Sequence, residues 1–170
     1  MSQTAVVVHV PEAEPLVGEP RLRHTSDARA GMPPHVTLLF PFVPASRLGS
    51  DVERRLAEIV GGVDAFEVTF GRTARFASVL YLEPEPAEPF AELTRAIVAE
   101  WPEHPPYGGE VDEVIPHLTV AESRDSELLD RLAAGLVRGL PLKACVSEVT
   151  LFQEDADGGW NERTRMPLAA

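Results

Sequence analysis

The first segment with a clear apolar pattern is Thr4 to Val10, Thr-Ala-Val-Val-Val-His-Val, a β-branched run that reads as a central strand ended by Pro11. Residues 11 to 34 are rich in Pro, Glu, Arg and Gly, with only a weak helical signal around Pro15 to Leu22 and a loop from Asp27 to Pro34. His35-Val36-Thr37-Leu38-Leu39-Phe40-Pro41-Phe42 predicts a strand with its proline near the end. Val52, Leu56, Ile59 and Val60 then recur at helical spacing, with Ser50 or Asp51 as the cap and Gly61-Gly62 as the stop. Strands are predicted at Ala65 to Phe70 and at Arg75 to Leu82. A helix follows over 88–101, with Phe90, Leu93, Ile97, Val98 and Trp101 on one face.

After a Pro/Gly loop from 102 to 115, the chain repeats itself. Ile115-Pro116-His117-Leu118-Thr119-Val120-Ala121 predicts another strand, followed by a helix capped by Asp125 or Ser126 and carrying Leu128, Leu129, Leu132 and Leu136. Leu142 to Glu154 reads as one long strand, turned back at Asp155 to Gly159 into a hairpin with 160–167. Each half thus offers a His-x-Thr strand, a capped helix and two hairpin strands. The expected fold is one α+β domain over 1–170, built as duplicated lobes of antiparallel sheet with helices on the outer face and a cleft between them.

The repeat carries the chemistry. Pro34-His35-Val36-Thr37-Leu38 returns as Pro116-His117-Leu118-Thr119-Val120, about half the chain later. A single His on a strand is more often a core or surface residue. Two His-x-Thr pairs among five histidines are roughly a 3% event by chance, before the flanking prolines are counted. Alternate strand residues share a face, so His35 and Thr37 project together, as do His117 and Thr119. Two imidazoles and two hydroxyls in one cleft suit a phosphodiester. One imidazole takes a proton from water, the other protonates the leaving oxygen, and the hydroxyls donate to the non-bridging oxygens. His117 as base and His35 as acid is the assignment adopted, although the repeat makes the roles interchangeable.

Composition narrows the partners. Fifteen basic residues against 27 acidic ones give a net charge of −12, a field that repels long polyanions. Long nucleic acid is excluded as a partner, while a pocket for one or two phosphates is not. The candidate substrate contacts are Arg23, Tyr107 and Arg124, with Arg21, His24 and Arg75 as weaker anion contacts; Tyr107 could stack on a base. Phe40, Phe42, Trp101 and the single cysteine, Cys145, are expected in the core. There is no zinc-ligand spacing and no Gly-rich phosphate loop, so neither metal nor cofactor is expected. No apolar stretch approaches a membrane span, and the start of the chain has no signal-peptide pattern. A cytoplasmic monomer without membrane contact is expected.

On the phrases Pro33-Pro34-His35-Val36-Thr37-Leu38-Leu39-Phe40-Pro41-Phe42 and Ile115-Pro116-His117-Leu118-Thr119-Val120-Ala121, the chain resembles the 2H phosphoesterase superfamily and its 2′-5′ RNA ligase-like branch. The resemblance implies a pseudo-twofold bilobal fold, a metal-independent site, and substrates that are 2′,3′- or other cyclic phosphodiesters or 2′-5′ linkages, including RNA ends. It transfers catalytic roles only to His35, Thr37, His117 and Thr119. Ligase-like members often continue the second motif as H-x-T-L-x-R; here Glu122 occupies the arginine position, which argues against ligation. The expected activity is hydrolysis of a small cyclic phosphodiester. A non-catalytic nucleotide-binding module and a 2′-5′ RNA ligase are the alternatives.

Overall fold

The structure, a computed structural model, describes residues 2–110 and 114–170. Its strands form one continuous antiparallel sheet of eight. β1 is Thr4–His9, β2 His35–Leu39, β3 Phe66–Phe76, β4 Val79–Glu85, β5 Leu118–Glu122, β6 Leu142–Val146, β7 Glu148–Glu154 and β8 Trp160–Pro167, in the order β6-β3-β4-β5-β2-β1-β7-β8. The α+β class and the antiparallel pairing agree with expectation, but the halves share one sheet. They join where β2 pairs with β5 through Val36 opposite Leu118, the middle residues of the two His-x-Thr motifs. Nor does each half of the sequence keep its strands together. The hairpin following the first motif, β3–β4, pairs with the second motif strand, and the hairpin β7–β8 pairs with β1.

Among the described residues five α-helices accompany the sheet: α1 Glu14–His24, α2 Ser26–Arg29, α3 Ser50–Val60, α4 Glu88–Glu100 and α5 Ser126–Leu136. Apolar residues of α1, α3, α4 and α5, such as Val17, Leu56, Leu93 and Leu129, join Val36 and Leu118 in the main core. β1 shows how the two sheet faces are used. Val6 and Val8 enter that core, whereas Ala5 and Val7 belong to a smaller cluster with Met32 and Phe152 on the opposite face. These four helices therefore cover one face and leave the other for a cavity, beside which α2 lies.

Several elements differ from the sequence reading. α1 is a complete helix despite Pro20 in its interior. Its buried positions are Val17 and Arg21, so an arginine occupies the inner stripe and hides the amphipathic pattern. β3 is one strand through Gly71 and Arg72, because pairing with β4 holds a stretch that lacks an apolar face. The expected strand from 142 to 154 breaks at Ser147: β6 pairs with β3 and β7 with β1. A single residue spans only about 3.5 Å, so strands near opposite ends of the sheet order must approach each other there, and the sheet curls. A bridge between Asp64 and Ala169 closes the same end. Cys145 is exposed rather than in the core, since β6 is an edge strand and Cys145 points outward between buried Ala144 and Val146. Gly49 precedes α3 in place of a side-chain cap, while Asp125 caps α5 by accepting from the amides of Glu127 and Leu128 at 3.1 and 3.2 Å. Among the described residues no helix is long and apolar enough to cross a membrane.

Candidate active site

The pairing of β2 with β5 sets the two motifs side by side. Val36 and Leu118 point into the core, so their neighbours His35, Thr37, His117 and Thr119 point the other way, into a cavity of about 870 Å³ that all four line. The two imidazoles are held alike. His35 Nδ1 lies 2.8 Å from the Pro33 carbonyl, and His117 Nδ1 lies 2.6 Å from the Ile115 carbonyl. A carbonyl only accepts, so Nδ1–H is the donor in both rings and Nε2 is left to exchange protons. Pro34 and Pro116 of the repeated frame keep residues 33 and 115 extended, which fixes the carbonyls that orient the rings.

The environments of the rings then diverge. His35 is 8% exposed. Burial, reinforced by the Arg21 guanidinium, pushes its pKa down to about 4, against the opposing pull of Asp27, whose Oδ2 lies 3.9 Å from Nε2. His117 is half-buried against Phe76 and Tyr81, with ring centroids 5.0 and 5.5 Å away. Burial lowers its pKa too, opposed by the bond to Ile115.

Arg21 ties the motifs together from behind. It is 1% exposed. One guanidinium nitrogen donates to the Thr119 carbonyl at 2.8 Å, and the other to the carbonyls of Met32 and Pro33 at 3.1 and 3.4 Å, with Asp27 Oδ1 at 3.5 Å. One side chain thus holds the backbone of both His-x-Thr segments, and Pro33 accepts from Arg21 and His35 together. Sequence reasoning had Arg21 only as an anion contact. The usable signal was an arginine at the i+4 position from Val17 in a helix with no other inner stripe.

Of the other sequence candidates, Tyr107 lines the cavity and Arg23 and Arg124 do not. Arg23 is exposed and paired with Glu19 at 2.9 Å, one turn along α1, and Arg124 is exposed on the connection from β5 to α5. Tyr107 sits in a tight turn at φ 51° with its amide bonded to the Phe40 carbonyl at 2.7 Å. Burial raises its phenol pKa, partly offset by the Thr37 side chain beside it.

Two further aromatic groups were missed as site residues. Trp160 and Phe40, edge to face at 5.9 Å, form one wall, so Phe40 is a wall residue rather than core. Phe76, at the tip of the β3–β4 hairpin and 37% exposed, belongs to the other. Trp160 is seated by its amide bond to the Ala30 carbonyl at 2.7 Å. Beside it Gly31 adopts φ 103°, and a Cβ there would lie 3.1 Å from the Trp160 carbonyl, so this approach requires glycine. Phe42 and Trp101 pack together outside the cavity at 5.0 Å, as expected of core residues.

Asp27, Glu110, Glu122 and Glu154 also line the cavity. Burial and the nearby Asp27 raise the Glu122 pKa, against the effect of Arg21. Among the described residues no three His, Cys, Asp or Glu side chains gather into a metal-holding cluster. The cavity volume falls within the roughly 300–1,000 Å³ typical of small-molecule sites.

Known proteins share this fold and sequence pattern. A Bacillus pumilus (strain SAFR-032) protein named "Putative phosphoesterase" is 26% identical over 133 residues, 76% of this chain and 75% of its own length. The crystal structure of TT0787 of Thermus thermophilus superposes with a TM-score of 0.67 at 16% identity, covering 97% of each chain. That of E. coli LigT complexed with 3′-AMP gives 0.64 at 17% identity over 99% of each chain. LigT complexed with NADP+ gives 0.61 at 17% identity over 99% of this chain and 98% of that one. Residues 9–158 match the model of the 2′-5′ RNA ligase superfamily. The chain belongs to that superfamily, the 2H phosphoesterases.

Proposed function

We propose that the protein hydrolyses a small cyclic phosphodiester, of the nucleoside 2′,3′-cyclic phosphate class, by acid–base catalysis between His35 and His117. One observation carries the reading: both imidazoles are anchored through Nδ1 in the same way, and both line one cavity together with two threonines. The LigT complexes with 3′-AMP and NADP+ support a ligand of nucleotide size.

The surroundings favour His35 as base and His117 as acid, the reverse of the assignment adopted from the sequence. Burial and Arg21 keep the His35 imidazole neutral near pH 7, so its Nε2 is free to accept a proton from water. Asp27 at 3.9 Å stabilises the imidazolium as it forms. Burial lowers the His117 pKa as well, but no guanidinium adds to the effect there. A phosphodiester anion bound beside the ring favours its protonated form, so His117 is assigned the proton for the leaving group. The water oxygen bonds to phosphorus as its proton passes to His35. The ring P–O bond breaks, and the ribose oxygen takes the proton from His117 Nε2. Thr37 and Thr119 donate to the non-bridging oxygens, where charge accumulates.

The test is turnover of nucleoside 2′,3′-cyclic monophosphates by pure protein in a chelating buffer. His35→Gln and His117→Gln are each expected to lower kcat by roughly 10² to 10⁴, the usual worth of a general acid or base. Wild-type protein inert toward a panel of cyclic phosphodiesters refutes the proposal.

A further inference from the structure

The charge of the cavity is opposite to what a polyphosphate or RNA site requires. Among the described residues four carboxylates line it, and they come from separate parts of the fold: Asp27 from α2, Glu110 from the turn after Tyr107, Glu122 from the end of β5 and Glu154 from the end of β7. No lysine or arginine is among the described lining residues. Nor does the sequence hold one anywhere between Arg95 and Arg124, the stretch containing residues 111–113. The guanidinium packed beneath the motifs, Arg21, is 1% exposed, with both terminal nitrogens bonded to backbone carbonyls, so it does not reach a ligand in the cavity. The arginines expected to meet phosphate, Arg23 and Arg124, lie outside the cavity. The carbon-rich surfaces are Phe40 with Trp160 on one side and Phe76 beside His117 on the other.

We infer that these carboxylates form an acidic collar that admits a phosphodiester as the sole anionic group of the substrate and rejects substrates bearing a further phosphate. The inference rests on the hydrolase reading of this site and narrows it. The substrate class becomes a nucleoside 2′,3′-cyclic monophosphate with a free 5′-hydroxyl. Mononucleotides with a 5′-phosphate and oligonucleotide ends fall outside it. Repulsion of this kind sets specificity because the added, unpaired charge of a second phosphate against a like-charged wall raises the free energy of the wrong complex more than that of the right one. The permitted anion meets the two imidazoles and the threonine hydroxyls, and of the four carboxylates Asp27, whose Oδ2 lies 3.9 Å from His35 Nε2, stands at the reacting centre as well as in the collar.

The experiment compares a nucleoside 2′,3′-cyclic monophosphate with its 5′-phosphorylated counterpart. Two quantities are read: kcat/KM with wild-type protein, and Kd by calorimetry with the His35→Gln variant, which holds the ligand without consuming it. At low ionic strength the 5′-hydroxyl compound is expected to be favoured at least about tenfold in both, ~1.4 kcal/mol. The preference is expected to shrink severalfold at about 0.5 M salt, where the screening length falls to a few ångström. Charge-neutral Glu122→Gln combined with Glu154→Gln is expected to reduce it further. Preferences within about twofold that ignore both salt and these substitutions overturn the collar, even if both compounds are hydrolysed. Hydrolysis of neither, together with selective binding of the 5′-hydroxyl compound, leaves the collar standing and refutes the hydrolase reading. No binding of either compound refutes both.

Discussion

Replacing Arg21 with methionine removes a buried charge while keeping an unbranched apolar stem of similar reach. The guanidinium donates to carbonyls at 2.8, 3.1 and 3.4 Å and faces Asp27 at 3.5 Å. A hydrogen bond with a charged partner contributes about 1.5–3 kcal/mol, and these share one side chain, so their values do not add. Losing one partner of a fully buried ion pair costs about 3–5 kcal/mol. Asp27 is 35% exposed at the cavity, so a cost of that size here comes chiefly from the three carbonyls left without their donor. Arg21→Met is therefore expected to lower the unfolding free energy by about 3–5 kcal/mol in urea titrations, and Tm by roughly 6–20 °C for a chain of this length. A general loss of packing would do as much, so a second reading is needed. Burial lowers the His35 pKa most; the titratable groups facing it are Arg21 from α1, Asp27 from α2 and His117 just before β5, and Arg21 adds to the lowering. Without it that pKa rises from about 4 toward its ordinary value, and the acid limb of kcat/KM moves to higher pH. Arg21→Lys keeps the charge near His35 but not the fork that reaches both motifs, so it is expected to lose stability while moving the limb less. A stability loss under about 1 kcal/mol, or a limb that stays in place in Arg21→Met, refutes the role given to this side chain.

The lowered His35 pKa makes stability depend on pH. Between about 4 and 6.5 the unfolded chain binds the proton that the folded chain refuses, so stability is complete above 6.5 and is lost as pH falls toward 4. The difference is ~3 kcal/mol, measured as the excess loss of wild type over His35→Gln between pH 7 and pH 4; parallel curves for the two proteins contradict it. Trp160→Ala and Phe76→Ala are each expected to raise KM for a cyclic nucleotide about fivefold or more, since base stacking contributes about 1–3 kcal/mol, with kcat less affected. An unchanged KM in both variants removes the aromatic walls from substrate binding. Asp125→Ala strips the side-chain cap of α5 and is expected to cost about 1 kcal/mol, seen as a Tm lower by a few degrees with kcat/KM unchanged, because α5 lies on the face away from the cavity.

The sequence by itself determined the elements whose signals are local. β1 is legible as a β-branched run, α4 and α5 as apolar stripes with a cap or a stop, and the motif pairs as an alternation that needs no partner to predict its face. The family follows from the same residues, because Pro-His-x-Thr occurs twice in one frame. What decided the rest was not local. Whether β2 and β5 face each other across a gap or pair edge to edge depends on hydrogen bonds between residues far apart in the chain, and Val36 opposite Leu118 is what brings the two motifs to one cavity. α1 was masked because its inner face carries an arginine whose acceptors lie on other segments, the Thr119 carbonyl above all. Phe76 and Trp160 were missed because each stands at a hairpin tip, and hairpin tips acquire neighbours only when the sheet curls. The charge of the cavity escaped for the same reason: Asp27, Glu110, Glu122 and Glu154 are ordinary acidic residues in four separate segments and share a wall only after folding.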